Sequence, residues 1–146
     1  MNEIEFIFVH SYSSNSTNWH KVVWGFDDKS GRLSKALYLS DKLGVPVVAD
    51  DKYDQKNHIS YSEHGVKNLK TAENTLQEVK SALNYSEMGR VLFVTSPDHL
   101  PRVVRDVMLL GGESSFFSAS DVPFSTFGVE GVLIQEPPHQ KLDPNC

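Results

Sequence analysis

Arg90-Val-Leu-Phe-Val-Thr-Ser-Pro-Asp-His-Leu-Pro-Arg102 runs from an apolar stretch into a segment with two prolines. Arg90–Thr95 predicts a strand, nearly continuous in apolar residues, as in a sheet covered on both faces. His99–Leu110 predicts a helix with Leu100, Val103, Val104 and Val107 inward, ended by Gly111 and Gly112. The prolines locate its start. With Ser96 as N-cap, Pro101 would lie beyond the first turn and remove an intrahelical hydrogen bond. With Asp98 as N-cap, Pro101 falls in the first turn, where a missing N–H costs little. His99 and Arg102 then occupy that turn as neighbours on one face. Free backbone donors, the helix dipole, an imidazole and a guanidinium would meet there, which suits an anion or a phosphate. The plainer reading of the same residues is that Ser96 and Asp98 cap the helix and Arg102 pairs with a surface acid.

Outward from this segment, strands and helices alternate. Ile4–His10 predicts a first buried strand, and Val45–Ala49 a second. Lys29–Lys42 predicts a helix with Leu33, Ala36, Leu37, Ser40 and Leu43 on one stripe, stopped by Gly44. Thr71–Leu83 predicts another, with Ala72, Leu76, Val79 and Leu83 inward. Ser115–Ala119 and Gly131–Gln135 read as further strands, and Glu136–Cys146, with three prolines, as irregular chain. Trp19–Phe26 is ambiguous, and Asp50–Lys70 reads as a loop or cap with one short helix at most. The alternation predicts a single α/β domain: a three-layer α/β/α Rossmann-like fold with a mainly parallel sheet. In such folds ligands bind beyond the C-terminal ends of the strands. That rule selects His10–Asn15, Asp50–Asp51, Thr95–Asp98 and Ser118–Ser120. The polar stretch Ser11–Asn18 is long for a turn, and its Ser11, Ser13 and Asn15 are candidate ligand contacts.

Composition narrows the function. A chain of 146 residues with 39% apolar and 23% charged residues matches an ordinary globular domain. A net charge of -5 argues against nucleic acid as a partner, which requires a basic face. No segment approaches the length of a membrane span, and the acidic N-terminus lacks the pattern of a signal peptide, so no membrane partner and a cytoplasmic location are expected. The lone Cys146 leaves no intramolecular disulfide and no cysteine-based zinc site.

Three motifs resemble one known family. Val94-Thr-Ser-Pro-Asp-His-Leu-Pro-Arg102 is similar to the V-T-S-x-x-H-x-x-R signature of the YdcF/SanA-like family, also called domain of unknown function 218. Thr71-Ala-Glu-Asn-Thr75 resembles its N-T-x-E-N-A helix start, and Gly31-Arg-Leu-Ser-Lys-Ala36 its R-L-x-x-A helix. The matches fall in the family's order and span Gly31–Arg102. Departures fall at ligand-contacting places: His10-Ser-Tyr-Ser-Ser-Asn15 replaces a Gly-rich turn, and Ala49-Asp-Asp51 replaces an S-G-G. The resemblance implies the Rossmann-like fold and a nucleotide-like ligand such as S-adenosylmethionine. Carried over by position, it implies Thr71, Glu73, Asn74, Thr95, Ser96, His99 and Arg102 as site residues.

Other constellations carry weaker signals. Glu73 in a first helical turn either compensates the dipole or serves the cleft, orienting His99 or acting as a base. Asp50, Asp51, Asp54, His58 and His64 match no standard metal spacing, so a metal is not expected. Ser96, His99 and Glu73 lack the G-x-S-x-G elbow of a serine hydrolase. Tyr12, Trp19, Trp24 and Phe26 fit either stacking on a ligand ring or packing under a loop. Two functions remain. One is a small-molecule enzyme on a phosphorylated, nucleotide-like or carboxylated substrate, a hydrolase or transferase rather than an oxidoreductase, with His99 and Glu73 catalytic and Arg102 clamping the anion. The other is a binding module for a nucleotide-like ligand. Oligomer formation is compatible with both.

Overall fold

A computed structural model describes residues 3–127 and 133–134 of the chain. Five strands form one parallel sheet: β1 (Phe6–Val9), β2 (Val47–Ala49), β3 (Lys67–Asn68), β4 (Val91–Thr95) and β5 (Phe116–Ala119), in the order β3-β2-β1-β4-β5. β1 lies at the centre, with Ile7 beside Val47 and Phe6 to Val9 beside Val91 to Val94. The described residues also hold five helices: α1 (Trp19–Val23), α2 (Arg32–Leu43), α3 (Gln55–Glu63), α4 (Thr75–Tyr85) and α5 (Leu100–Leu109). A separate antiparallel pair, β6 (Thr126–Phe127) with β7 (Leu133–Ile134), follows.

The strands alternate sides residue by residue, and each side has its own core. Ile7, Val9, Val47, Ala49, Leu92 and Val94 pack with Trp19, Val22, Leu33 and Ala36 on the face of α1 and α2. Phe6, Phe8, Val48, Val91 and Phe93 pack with Val79, Ala82, Val103 and Val107 on the face of α4 and α5. This is the expected three-layer α/β/α arrangement. Connections from β1 to β2 and on to β3 step one way across the sheet. Those from β3 to β4 and on to β5 step the other way. A constant hand of crossover therefore puts their helices on opposite faces. The order reverses between β1 and β4, and the loops beyond their C-terminal ends diverge there to open a crevice.

Several boundaries differ from the sequence reading. α2 begins at Arg32, three residues inside the predicted Lys29–Lys42, and ends as expected at Gly44, whose φ of 69° is the left-handed conformation glycine favours. α4 begins at Thr75, not Thr71. Asn74 is its N-cap, accepting from Gln77 N. Thr71 is diverted instead to Asp50, whose carboxylate accepts from Thr71 N, Thr71 Oγ1 and Ala72 N. Glu73 thus precedes the helix rather than sitting in its first turn. α5 is capped by His99, not Asp98, and Pro101 lies in its first turn. The Asp98 carboxylate accepts from Phe124 N and Ser125 N. Asp50–Lys70 holds a nine-residue helix, α3, started by Asp54, which accepts from Lys56 N and Asn57 N. Of the predicted strand Gly131–Gln135, Leu133–Ile134 is a strand and the rest lies outside the described residues, as does the tail Glu136–Cys146. Among the described residues, no helix is long and apolar enough to cross a membrane.

Candidate functional site

A cleft of about 670 Å³ opens at the crevice above β1 and β4. Its walls come from the loop after β1 (Ser11 to Asn15), the segment after β2 (Asp50 to Lys56), the start of α4 and His99. Arg32, the first residue of α2, is also a lining residue although only 3% exposed. The starts of α2, α3, α4 and α5 thus gather at one place, as a parallel sheet requires of helices that follow its strands.

Arg32 is held by three oxygens. Its Nε donates to Ser96 Oγ at 2.7 Å, and its Nη1 donates to the carbonyls of Ser11 at 2.9 Å and His10 at 3.5 Å. The guanidinium lies 5.2 Å from the Tyr12 ring centre and 5.7 Å from that of Phe124. Both rings lie within reach of a cation–π interaction. This places one fixed positive charge at the cleft.

Two histidines stand on the opposite side, held by one helix. Thr75 and Glu78 are three residues apart in α4 and so share a face. Thr75 Oγ1 is 3.1 Å from His99 Nε2, and Glu78 Oε1 is 3.1 Å from His10 Nδ1. The other Glu78 oxygen accepts from Ser11 N at 2.9 Å. His99 is 6% exposed and its Nδ1 has no protein partner. Burial, and after it the electrostatic influence of Arg32, His10 and Arg102, pull the His99 pKa well below the usual histidine range. Its ring is therefore neutral at pH 7. Burial raises the Glu78 carboxyl, opposed by His10 and by the Ser11 N–H.

The acidic loop after β2 is a frame. Asp54 accepts from Ser14 N and Oγ, each at 2.8 Å, and so fixes the β1 loop against α3. Asp51 accepts from Asn57 Nδ2 and from Tyr53 N and Asp54 N. His58 Nε2 meets the Asp51 carbonyl and His64 Nδ1 that of Ser60. Among the described residues, no group of three or more His, Cys, Asp or Glu is placed to hold a metal ion. At the mouth, Tyr53 is 66% exposed, and its hydroxyl donates to Glu73 Oε2 at 2.8 Å. Hydrogen bonds from Tyr53 and Lys52 lower the Glu73 pKa, so Glu73 is an ionised carboxylate at the rim.

Of the residues selected from sequence, Ser11, Ser13, Asn15, Glu73, Asn74 and His99 line the cleft. Thr71, Thr95, Ser96 and Arg102 do not. Thr95 is buried behind it, and Ser96 serves it by holding Arg32. Arg102 is exposed, and His99 and Arg102 do not share a pocket. The buried stripe of α5 is Val103, Asp106 and Val107, and Arg102 precedes Val103 by one residue, about 100° round the helix, which turns it to solvent. The arginine that lines the cleft is Arg32. Its position within Arg-Leu-Ser-Lys-Ala36 was a signal for it. Trp19 is buried against the core and Phe26 is exposed outside the cleft, whereas Tyr12 lines it. Glu78 was hidden in an ordinary helical pattern, whereas Thr75 ended the Thr71–Thr75 motif without being selected. No family model, curated protein or solved structure matches this chain.

Proposed function

We propose that this chain is an enzyme acting on a small phosphorylated, nucleotide-like or carboxylated substrate bound in the cleft above β1 and β4. Arg32 attracts the anionic group, aided by the helix starts around it. His99 exchanges a proton or a hydrogen bond with the reacting part. The observation that carries this reading is His99 itself. It is a buried, neutral imidazole on the cleft wall, held through Nε2 by Thr75, with Nδ1 unpartnered. A buried polar atom without a partner is costly, and a site for a reacting ligand gives it a purpose. The YdcF/SanA-like motifs support the same place, and membership of that family is part of the proposal. Hydrolysis or group transfer suits a neutral imidazole that exchanges a proton at the cleft wall. A chain with one cysteine, and so no internal disulfide, suits the cytoplasm.

A second reading, a module that binds a nucleotide-like ligand such as S-adenosylmethionine without turnover, is favoured by Tyr53. Its exposed ring, tied to Glu73 at the mouth, is a platform for a planar base. Native mass spectrometry of the purified chain identifies a co-purified small molecule, and incubation with it reveals a product. His99→Asn should abolish turnover and keep binding. Binding without turnover in the wild type selects the module. A His99→Asn protein that turns over the molecule normally overturns the enzymatic reading of His99.

A further inference from the structure

Behind the cleft wall, three buried polar atoms on neighbouring residues have no partner: His10 Nε2, Thr95 Oγ1 and His99 Nδ1. Their neighbourhood follows from the register. Val9 pairs with Val94 in parallel, so the next step sets His10 beside Thr95 on strands about 4.8 Å apart. Both follow the side taken by Phe8 and Phe93 two residues earlier, and the His10 ring stacks on Phe93 at 5.7 Å. The His99 ring stands edge-on to that of His10 at 6.4 Å. Each imidazole is fixed by its other nitrogen to α4, His10 to Glu78 and His99 to Thr75. His99, Thr75 and Glu78 line the cleft, and His10 is bonded to Glu78, so the cluster abuts the substrate space.

We propose that His10 Nε2, Thr95 Oγ1 and His99 Nδ1 hold a reactant water, that His10 is a catalytic base, and that the reaction is hydrolysis of a phosphoester. This deepens the proposed function and rests on its cleft. Three buried, unpartnered polar atoms on neighbouring residues match in number the two to four partners of a buried water. Glu78 behind Nδ1 orients the imidazole so that Nε2 is the atom that accepts a proton. The water passes a proton to His10 Nε2 as its oxygen bonds to phosphorus. The bond from phosphorus to the leaving oxygen breaks on the far side, that oxygen takes a proton from solvent at the cleft mouth, and His10 then gives its proton up to solvent. Thr95 and neutral His99 aim the water, and Arg32 offsets the charge of the phosphoryl group.

The test uses the full chain with two probes, p-nitrophenyl phosphate and bis(p-nitrophenyl) phosphate, in water labelled with heavy oxygen. The expected result is release of p-nitrophenol with one labelled oxygen in the phosphate product. A crystal structure should place a solvent oxygen within hydrogen-bond distance of His10 Nε2 and of Thr95 Oγ1 or His99 Nδ1. His10→Asn keeps a partner for Glu78 and removes Nε2. It should lower kcat by at least about 100-fold with KM within about twofold. Thr95→Val is nearly isosteric, carries the test if His10→Asn does not fold, and should lower kcat about tenfold at unchanged KM. Failure to hydrolyse either ester, a dry cluster, or unchanged kcat in a folded His10→Asn or Thr95→Val protein overturns the proposal. None of these results touches ligand binding in the cleft, which decides the broader reading separately.

Discussion

Arg32 Nε and Ser96 Oγ lie 2.7 Å apart, and this hydrogen bond ties the start of α2 to the end of β4 across the reversal point of the sheet. Ser96 is fully buried, so the bond is sheltered from water. Ser96→Ala leaves a buried guanidinium N–H without its acceptor. The expected cost is about 1.5–3 kcal/mol, the range for hydrogen bonds to charged groups. Urea denaturation should show a lower midpoint with an unchanged slope. Wild-type stability in Ser96→Ala would mean that Arg32 finds another acceptor.

Arg32 and Arg102 both stand in first turns, but only Arg32 lines the cleft. Arg102→Ala should therefore bind the co-purified ligand as the wild type does. Arg32→Lys replaces a planar fork by a point charge and should weaken binding about tenfold or more. Calorimetric titration of both variants separates the two arginines. Loss of affinity in Arg102→Ala with Arg32→Lys unaffected would reverse the assignment.

Burial of His99 has a consequence for pH. Its folded pKa lies well below the unfolded value, so the unfolded chain takes up a proton first as pH falls. The contribution of neutral His99 is fully present above about pH 6.5 and is lost as pH drops below it. The slope from this one group is at most about 1.4 kcal/mol per pH unit. His99→Gln should flatten the decline between the unfolded and folded pKa. In the wild type, the His99 ring resonance should stay at its neutral position as pH falls through 6.5. A midpoint near 6.5 would contradict the buried environment.

Gly31 precedes Arg32 and has no room for a side chain. A Cβ there would come within 2.4 Å of Val23 O and of Trp24 C, both backbone atoms. Gly31→Ala must therefore move the start of α2 and, with it, Arg32. Loss of a few kcal/mol of stability together with weakened ligand binding is expected, as for overpacking in a tight site. A thermal melt paired with the binding titration checks both. An unchanged melt would show that α2 shifts without penalty.

The sheet was legible because its central strands are buried on both faces, which writes them as apolar runs such as Phe6–Val9 and Val91–Thr95. β3 was not, since Lys67–Asn68 is a two-residue polar edge strand with no hydrophobic pattern to read. The start of α4 was misplaced by four residues because Thr71 resembles a cap. Its hydroxyl and amide were claimed by Asp50, a contact between residues distant in sequence. The site was half legible. The rule that ligands lie beyond strand ends selected His10–Asn15 and Thr95–Asp98. It could not say which way a first-turn arginine points, because that depends on which side of the helix meets the sheet. Glu78 was missed because a carboxylate in a helical pattern looks exposed until an imidazole from another strand meets it.

The central position of β1 bears on how the chain comes off the ribosome. Phe6 to Val9 are made well before their neighbours Val91 to Val94. Until then β1 can pair with β2 on one side only, and its other edge is open to strangers. The loops that form the crevice cannot meet before that closure either. Chains interrupted before Val91 should be inert, sticky clients of chaperones, and the interval before β4 emerges is when this protein most needs protection.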